Sequence, residues 1–227
     1  YVAGHSLGEI TACYVAGVFD LETSLELIKA RGRFMANSYP GEQSAMAAVI
    51  GLDAEKTQEI LASYQKYPVV LANYNSPSQI VISGQKEGVL KASEELKSAG
   101  AKRVISLKVT GAFHSPLMQK AADNFAAYLK EIPFQDSKIP VVLNRLAVME
   151  TSGTKIKENL SLQIKSPVLW TSSIKLLENR VDAFVECGPG KVLAGLIRKT
   201  IPEKEMYNIY NDASLEEQVQ LMSSVTK

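Results

Sequence analysis

The stretch YVAGHSLGEITACYVA, residues 1–16, decides the fold because it joins a strand end to a helix through one tight turn. Tyr1-Val2-Ala3 is typical of a strand end, and Leu7 to Ala16 has the apolar spacing of a helix closed by Gly17. Between them, Gly4-His5-Ser6-Leu7-Gly8 fits G-x-S-x-G, an elbow that exposes a serine hydroxyl above a sheet. We expect both glycines to let strand and helix approach closely.

The rest of the chain alternates helices and strands, with a change of pattern in the middle. A second helix is predicted from the Asp20 cap to about Asn37. The middle of the chain then predicts the order βαββαβ, at Ser44 to Gly51, Ala54 to Tyr64, Val69 to Asn75, Gln79 to Gly84, Glu87 to Ala99 and Lys102 to Val109. Beyond Gly111 the predicted elements are helices at Pro116 to Ile132, Lys157 to Lys165, Trp170 to Asn179 and Lys191 to Thr200, strands at Pro140 to Asn144, Asp182 to Glu186 and Met206 to Tyr210, and a polar terminal helix.

These patterns predict an α/β fold with an insertion. A hydrolase-like parallel-sheet core would comprise residues 1–42 and 110–227, and residues 43–109 would form a ferredoxin-like βαββαβ subdomain. Because a strand end with no strand before it lacks ladder partners, we expect a further segment ahead of Tyr1.

Composition indicates an ordinary globular protein. Hydrophobic residues make up 46% of the chain, charged residues 22%, and the net charge is +1, which favours neither nucleic acid nor a membrane surface as partner. Cys13 and Cys187 are far apart and have no CxxC or histidine-rich companion, so neither a disulfide framework nor a zinc site is indicated. The expected location is the cytoplasm.

Ser6 is the candidate nucleophile, and its base must be one of two histidines. His5 adjoins Ser6 on a sharp turn, where neighbouring side chains diverge. His114 lies in the loop Thr110 to Pro116, so we predict it as the base. The helix that starts after Ser6 would direct the Leu7 N–H at an oxyanion. A plain connecting turn with a solvent-facing serine is the alternative.

No carboxylate stands out as the third member of a triad, so a backbone carbonyl could orient the imidazole. Arg31 shares a helix face with Leu27 and Phe34, which predicts that its guanidinium points inward, whereas Arg33 would be solvated. An inward guanidinium needs an acidic partner. Periodicity leaves open whether a buried Asp or Glu or a bound carboxylate ligand supplies it.

Several motifs together resemble the malonyl-CoA:acyl carrier protein transacylase family, in the same order and spacing along essentially the whole chain. They are Gly4 to Glu9, Arg31-Gly32 with Phe34-Met35, Asn75-Ser76-Pro77 with Gln79 to Gly84, Gly111 to Ser115, Ser166-Pro167-Val168 and Glu186 to Leu193. The resemblance implies transfer of malonyl from malonyl-CoA to the phosphopantetheine thiol of acyl carrier protein in fatty acid synthesis, through a seryl ester. It implies no cofactor other than the coenzyme A thioester that is the substrate.

The resemblance also implies roles for individual residues. Ser6 would be the nucleophile, His114 the base, and Arg31 the partner of the malonyl carboxylate. By the same comparison, the Gln163 main-chain carbonyl would hold the histidine, and Phe113 would favour malonyl over methylmalonyl. Family members begin with a Gly-Gln-Gly segment that contributes a second oxyanion donor, and this sequence lacks it.

Other functions share parts of this pattern. A serine esterase or thioesterase would have the same elbow and histidine but would not need the inward arginine. An acyltransferase that loads polyketide carrier proteins would have the same site, and a non-catalytic binding module is a third class. Gly188-Pro189-Gly190-Lys191 lacks the spacing of a Walker phosphate loop, so we interpret it as close packing between strand and helix.

Overall fold

The computed structural model describes residues 1–225. The chain forms two compact units, one from Tyr1 to Ser173 and a second that begins at Ile174. Helices alternate with strands in both, and the predicted α/β class is confirmed. Among the described residues, no helix combines the length and the apolar character that crossing a bilayer requires.

The first unit contains seven strands and six complete helices among its described residues. The strands are β1 (Val2–Ala3), β2 (Ser44–Ile50), β3 (Val69–Ser76), β4 (Gln79–Gln85), β5 (Arg103–Ser106), β6 (Val141–Leu143) and β7 (Val148–Glu150). The helices are α1 (Gly8–Val15), α2 (Leu21–Ala36), α3 (Ala54–Leu61), α4 (Lys86–Ser98), α5 (Gln119–Lys130) and α6 (Gly153–Gln163), with 3-10 turns at Gly41–Gln43 and Pro116–Met118. A seventh helix, α7 (Trp170–Leu177), crosses into the second unit.

A small sheet carries the nucleophile elbow. Its strand order is β1-β6-β7, and β1 runs parallel to β6 with Val2 opposite Val141. Strand β7 was not predicted, because three residues after a turn carry too little pattern to be recognised. Helices α1, α2, α5 and α6 contribute to one apolar core with β6. This core fixes the position of the residues that follow β1 and β6.

The predicted βαββαβ order is present between Ser44 and Ser106. Its four strands form an antiparallel sheet in the order β3-β4-β2-β5, and β3 and β4 form the predicted hairpin. One face packs on α3 and α4 through an apolar cluster. The opposite face packs against Phe113. Contacts group this sheet with residues 1–42 in one unit, and the domain boundaries at residues 43 and 109 stay a prediction.

The second unit pairs β8 (Ala183–Cys187) in parallel with β9 (Glu205–Ile209), and adds α8 (Val192–Thr200) and α9 (Asp212–Val225). The Gly188–Lys191 turn lies between β8 and α8. A Cβ at Gly188 or Gly190 would meet no atom within 4 Å, so the predicted close packing is wrong. Both glycines have positive φ, 138° and 90°, which is the reason glycine suits these positions. The Glu186 carboxylate accepts the first N–H groups of α8 and so occupies the place of an anion.

Candidate active site

Ser6 lies in the elbow between β1 and α1 with a backbone φ of 53°, a left-handed conformation that is strained for any residue except glycine. Asn144 holds this elbow. Its Oδ1 accepts the Ser6 N–H at 2.6 Å, and its Nδ2 donates to the Gly4 carbonyl at 2.7 Å. Because β1 and β6 are parallel neighbours, the residues that follow them meet at one edge of the sheet. Two hydrogen bonds with Asn144 therefore hold the backbone of the elbow that carries the strained serine.

The two elbow glycines have different roles. A Cβ at Gly4 would collide with the backbone carbonyl of Gly8, so close approach of strand and helix requires glycine there. A Cβ at Gly8 would meet nothing within 4 Å. The expectation that Gly8 is also needed for close approach is wrong, because its Cα faces open space.

His114 lies beside Ser6, with 2.7 Å between its Nε2 and the Ser6 Oγ. Its φ is 57°, and its N–H donates to the Ile164 carbonyl at 3.0 Å. On the other side of the ring, Nδ1 lies 3.1 Å from the Gln163 carbonyl and 3.0 Å from the Ser166 carbonyl. Because carbonyls only accept, the proton must be on Nδ1. The free Nε2 lone pair then faces the serine hydroxyl.

Burial above all, together with the nearby Arg31 and His5, lowers the pKa of His114 to about 3, against the opposing effect of the Gln163 and Ser166 carbonyls. The side chain is only 4% exposed. The imidazole is therefore neutral at physiological pH, which is the form that can accept a proton. Among its perturbing groups, Arg31 is one whose charge a bound anion would offset.

Arg31 projects inward from α2 and is 4% exposed. Its Nη2 donates to the Ser6 Oγ at 2.9 Å and to the Gln163 Oε1 at 3.1 Å. Its Nε is buried with no hydrogen-bond partner in the described part of the chain, where Arg31 also forms no salt bridge. Burial lowers the pKa of Arg31 to about 10, and the charge of Glu9 opposes this shift. The guanidinium stays charged and keeps donors unpaired beside the serine.

Glu9, in the first turn of α1, is a buried carboxylate that the sequence did not single out for a role. It accepts hydrogen bonds from the Asn144 backbone, the Gln163 side chain and the Asn159 side chain at 2.8, 3.1 and 3.1 Å. Burial raises the pKa of Glu9 to about 7, against the opposing effect of these donors and of Arg31.

Leu7 and Phe113 differ in how far their side chains are exposed to solvent. Leu7 is the N-cap of α1 with an exposed side chain, and the described residues offer no acceptor for its backbone N–H. Phe113 is half-buried between the main core and the second face of the inserted sheet. The Leu7 N–H is thus free for an oxyanion, whereas Phe113 links the loop of His114 to the inserted sheet.

His5 points away from the serine, as expected for its neighbour on a sharp turn. Its Nε2 lies 2.8 Å from the Asn75 Oδ1 at the end of β3, and its ring packs edge to face on Trp170 with centroids 5.5 Å apart. Burial lowers the pKa of His5, against the hydrogen bond with Asn75. A neutral His5 therefore joins the elbow to the inserted sheet.

The site and fold define a class: an α/β protein with a partly buried serine on a strand-to-helix elbow, a buried histidine that contacts the serine hydroxyl, and a buried arginine beside the same hydroxyl. The sequence matches the acyl transferase domain family over residues 1–222. The chain belongs to the acyl transferase domain family.

Individual relatives show which acyl transferases the chain is similar to. The chain is 42% identical, over 202 residues and 88% of its length, to the malonyl CoA-acyl carrier protein transacylase of Staphylococcus aureus (strain MSSA476), and the match covers 66% of that relative. The acyl carrier protein S-malonyltransferase of Vibrio cholerae O1 biovar eltor str. N16961 superposes with a TM-score of 0.92 at 40% identity, over 95% of this chain and 71% of that one. A malonyl-transacylase in complex with a type II polyketide synthase acyl carrier protein gives a TM-score of 0.92 at 38% identity, over 94% and 70%. The chain thus spans about two thirds of the curated relative's length.

Sequence reasoning placed Ser6, His114, Arg31 and Gln163 in the site, and the structure brings them together. It missed Asn144 and Glu9. Asn144 directly follows the buried strand Val141–Leu143, and a polar residue at that point of a parallel strand is a usable signal. Glu9 lies four residues before the buried Cys13 on the same helix face, so helical periodicity would have placed it inside.

Proposed function

We propose that the protein transfers a malonyl group from malonyl-CoA to the phosphopantetheine thiol of an acyl carrier protein through an ester on Ser6, for fatty acid synthesis. The observation that carries this proposal is the buried Arg31 guanidinium, which has unpaired donors and lies 2.9 Å from a serine oxygen that also faces His114. An esterase for uncharged acyl groups would gain nothing from a buried cation at this point.

The first half of the proposed reaction uses groups already in contact. The Ser6 hydroxyl gives its proton to His114 Nε2 as Oγ attacks the thioester carbonyl carbon. The Leu7 N–H donates to the resulting oxyanion. When the intermediate collapses, the C–S bond breaks and His114 returns the proton to the coenzyme A sulfur. The Gln163 and Ser166 carbonyls stabilise the transient imidazolium through Nδ1.

The second half repeats these steps in reverse with the carrier protein thiol as the nucleophile. His114 accepts the thiol proton, and the sulfur attacks the carbonyl carbon of the seryl ester. The ester C–O bond then breaks, and the proton returns from His114 to the Ser6 Oγ. Each step conserves charge and atoms, so the proposed chemistry needs no cofactor beyond the coenzyme A thioester of the substrate. A cytoplasmic location is part of the proposal and rests on the sparse cysteine usage.

The position of Arg31 beside Ser6 favours a short dicarboxylic acyl group as the group that is transferred. Because one guanidinium nitrogen is 2.9 Å from the nucleophilic oxygen, a carboxylate paired with Arg31 must lie close to the reacting carbonyl. The one-carbon spacer of malonyl suits that distance. Pairing would also offset the charge that depresses the pKa of His114, so a carboxylated substrate would strengthen its own base.

A loading assay tests this function. The purified protein is incubated with malonyl-CoA or acetyl-CoA, and the covalent ester is quantified by intact mass after denaturation. We expect malonyl on the unmodified protein and on Ser98→Ala, an exposed control on α4, and none on Ser6→Ala. Absence of ester on the unmodified protein would refute the proposal.

Arg31→Ala separates a carboxylated donor from an uncharged one. We expect malonyl loading to fall at least ~30-fold, because removing one member of a buried charge pair costs at least about 2 kcal/mol. Acetyl loading should be unchanged or improved. Arg33→Ala on the exposed face of the same helix is the matched control. Equal losses for both acyl groups would show that Arg31 does not read the carboxylate.

A polyketide carrier protein is a second candidate recipient. The observation that favours it is the similarity to the malonyl-transacylase that was solved with a type II polyketide synthase carrier protein. Comparing kcat/KM for transfer from the malonyl-enzyme to carrier proteins of both kinds separates the two. Release of free malonate without any carrier would instead indicate a thioesterase.

A further inference from the structure

Glu9 is a buried acid that the proposed reaction does not use. It is 0% exposed, and its two oxygens accept from three donors that come from the end of β6 and from α6. Burying a carboxylate costs several kcal/mol unless its partners offset the lost hydration. Every partner is a donor, so both oxygens accept hydrogen bonds, and these donors favour the ionised form. A residue this costly to bury calls for an explanation beyond packing.

The Glu9 carboxylate sets the orientation of the Gln163 side-chain amide. The Gln163 Nε2 donates to the Glu9 Oε2 at 3.1 Å and to the Ser6 carbonyl at 3.0 Å, and both of these atoms only accept. The opposite end of the amide, Oε1, therefore points at Arg31 Nη2 at 3.1 Å. A flipped amide would place its NH₂ group against the guanidinium, donor against donor.

Gln163 thus separates two opposite charges that do not touch. A direct Glu9–Arg31 salt bridge would use the guanidinium donors that a substrate carboxylate needs. With the amide between them, Arg31 donates one hydrogen bond to Gln163 and one to the Ser6 Oγ, while its buried Nε stays unpaired. The charge of Glu9 still acts on Arg31 through space.

We propose that Glu9 is a positioning residue for acyl-group selectivity: its carboxylate orients the Gln163 amide, and the Gln163 oxygen holds Arg31 beside Ser6. This inference rests on the proposed function, in which Arg31 binds the carboxylate of the acyl group. The Glu9 carboxylate makes no hydrogen bond to the Ser6 Oγ or to His114, and its hydrogen-bonded route to Arg31 runs through Gln163.

Glu9→Gln tests the relay with almost no change in volume. The new NH₂ group must face donors in either orientation. At the Oε2 position it meets the Asn144 and Gln163 donors. At the Oε1 position it meets Asn159, which cannot turn its amide because Asn159 Oδ1 already accepts from the Arg145 Nε at 3.2 Å.

The readout is the ratio of malonyl to acetyl loading rates from their coenzyme A thioesters, measured by intact mass. We expect this ratio to fall about tenfold or more, in line with the loss of one buried charged hydrogen bond. Glu22→Gln, an exposed acid in the first turn of α2, should leave the ratio unchanged. A purely structural role of Glu9 would lower both rates by the same factor, and an unchanged ratio would overturn the proposal.

A double-mutant cycle checks the route. Gln163→Met removes the amide but keeps the main-chain carbonyl that accepts from His114. It should lower the ratio by itself, and adding Glu9→Gln should then change the ratio less than about twofold. If the double variant instead lowers the ratio by the product of the two single factors, Glu9 acts by a route other than Gln163, which also overturns the proposal.

Two further variants keep the outcomes distinct. If Arg31→Ala leaves the ratio intact, the proposed function fails. If Arg31→Ala collapses the ratio and Glu9→Gln does not, the function stands and the relay alone is wrong. Should Glu9→Gln not fold by circular dichroism, Glu9→Asp takes its place: its shorter carboxylate retreats from Gln163, so the ratio should fall, and an unchanged ratio contradicts the relay.

Discussion

The elbow region and the inserted sheet belong to the same unit but bury different kinds of groups. Around Ser6, polar groups are buried, two non-glycine site residues have positive φ, and several hydrogen bonds join positions more than a hundred residues apart. Around Ile82, β4 pairs with β2 without a register shift, and the interior is an ordinary apolar cluster. This difference shows that the inserted sheet owes its stability to the burial of regularly spaced apolar residues. The elbow region owes its reactivity to polar groups that are held by residues distant in the sequence.

The largest expected effect separates the two elbow glycines. Gly4→Ala should destabilise the protein by ~3 kcal/mol or more, because its Cβ would collide with backbone that cannot move without opening the elbow. Gly8→Ala should be neutral or stabilising by up to ~1 kcal/mol, since it begins a helix and its Cβ meets open space. Urea unfolding of both variants measures this. Equal effects would mean that strand and helix do not approach as described.

The next effect concerns the pH dependence of stability, to which the buried site residue His114 should contribute. The pKa of His114 is about 3 in the folded protein against an ordinary 6.5, so below pH 6.5 the unfolded chain binds a proton that the folded one refuses. Its contribution therefore destabilises the fold progressively as pH falls from 6.5 toward 3, by at most ~1.4 kcal/mol per pH unit.

His114→Asn removes this contribution, while the shifted groups Glu9 and His5 remain in both proteins. Between pH 6.5 and roughly 5, the free energy of unfolding should thus fall less steeply for the variant than for the unmodified protein. Denaturant titrations at several pH values measure both slopes. Parallel slopes would show that His114 titrates normally in the folded state.

The smallest effect belongs to the inserted sheet. Ile82 is fully buried between Ala47 and Leu71 on the neighbouring strands, so Ile82→Val should cost about 1 kcal/mol of stability. Malonyl loading by the folded protein should not change. Ile105→Val, at an exposed position of β5, is the control and should stay within ~0.5 kcal/mol. A loss of loading in Ile82→Val would show that the sheet and the elbow are more tightly coupled than their contacts indicate.

Most of the fold could be predicted because its elements carry local signals. Asp20 caps α2 through its contact with the Thr23 N–H, and the nearly continuous apolar run in Ser44–Ile50 matches a strand buried on both faces of its sheet. Strand β7 and the start of α6 at Gly153 escaped prediction. The α6 start depends on a hydrogen bond from Gly153 to the distant Asp136 carboxylate.

The site divides in the same way. The elbow motif marked Ser6, and helical periodicity turned Arg31 inward, but periodicity could not choose between a protein acid and a ligand as its partner. Among the described residues no acid forms a salt bridge with Arg31, and Glu9 is joined to it by hydrogen bonds through Gln163, so a ligand carboxylate as its partner stays a proposal. The side chain of Gln163 had no local signal, since its role depends on three groups that come from other elements.

The sequence by itself therefore determined the order of helices and strands, the βαββαβ insertion, the serine on its elbow and the inward face of α2, because each depends on spacing within a few turns or strands. Tertiary structure alone decided that the Ser166 carbonyl joins the expected Gln163 carbonyl at His114, that Asn144 holds the Ser6 backbone and that Glu9 is buried and joined to Arg31 through Gln163. The physical reason is that hydrogen bonds between distant segments depend on how strands and helices pack, and packing is a property of the whole chain rather than of any stretch of it.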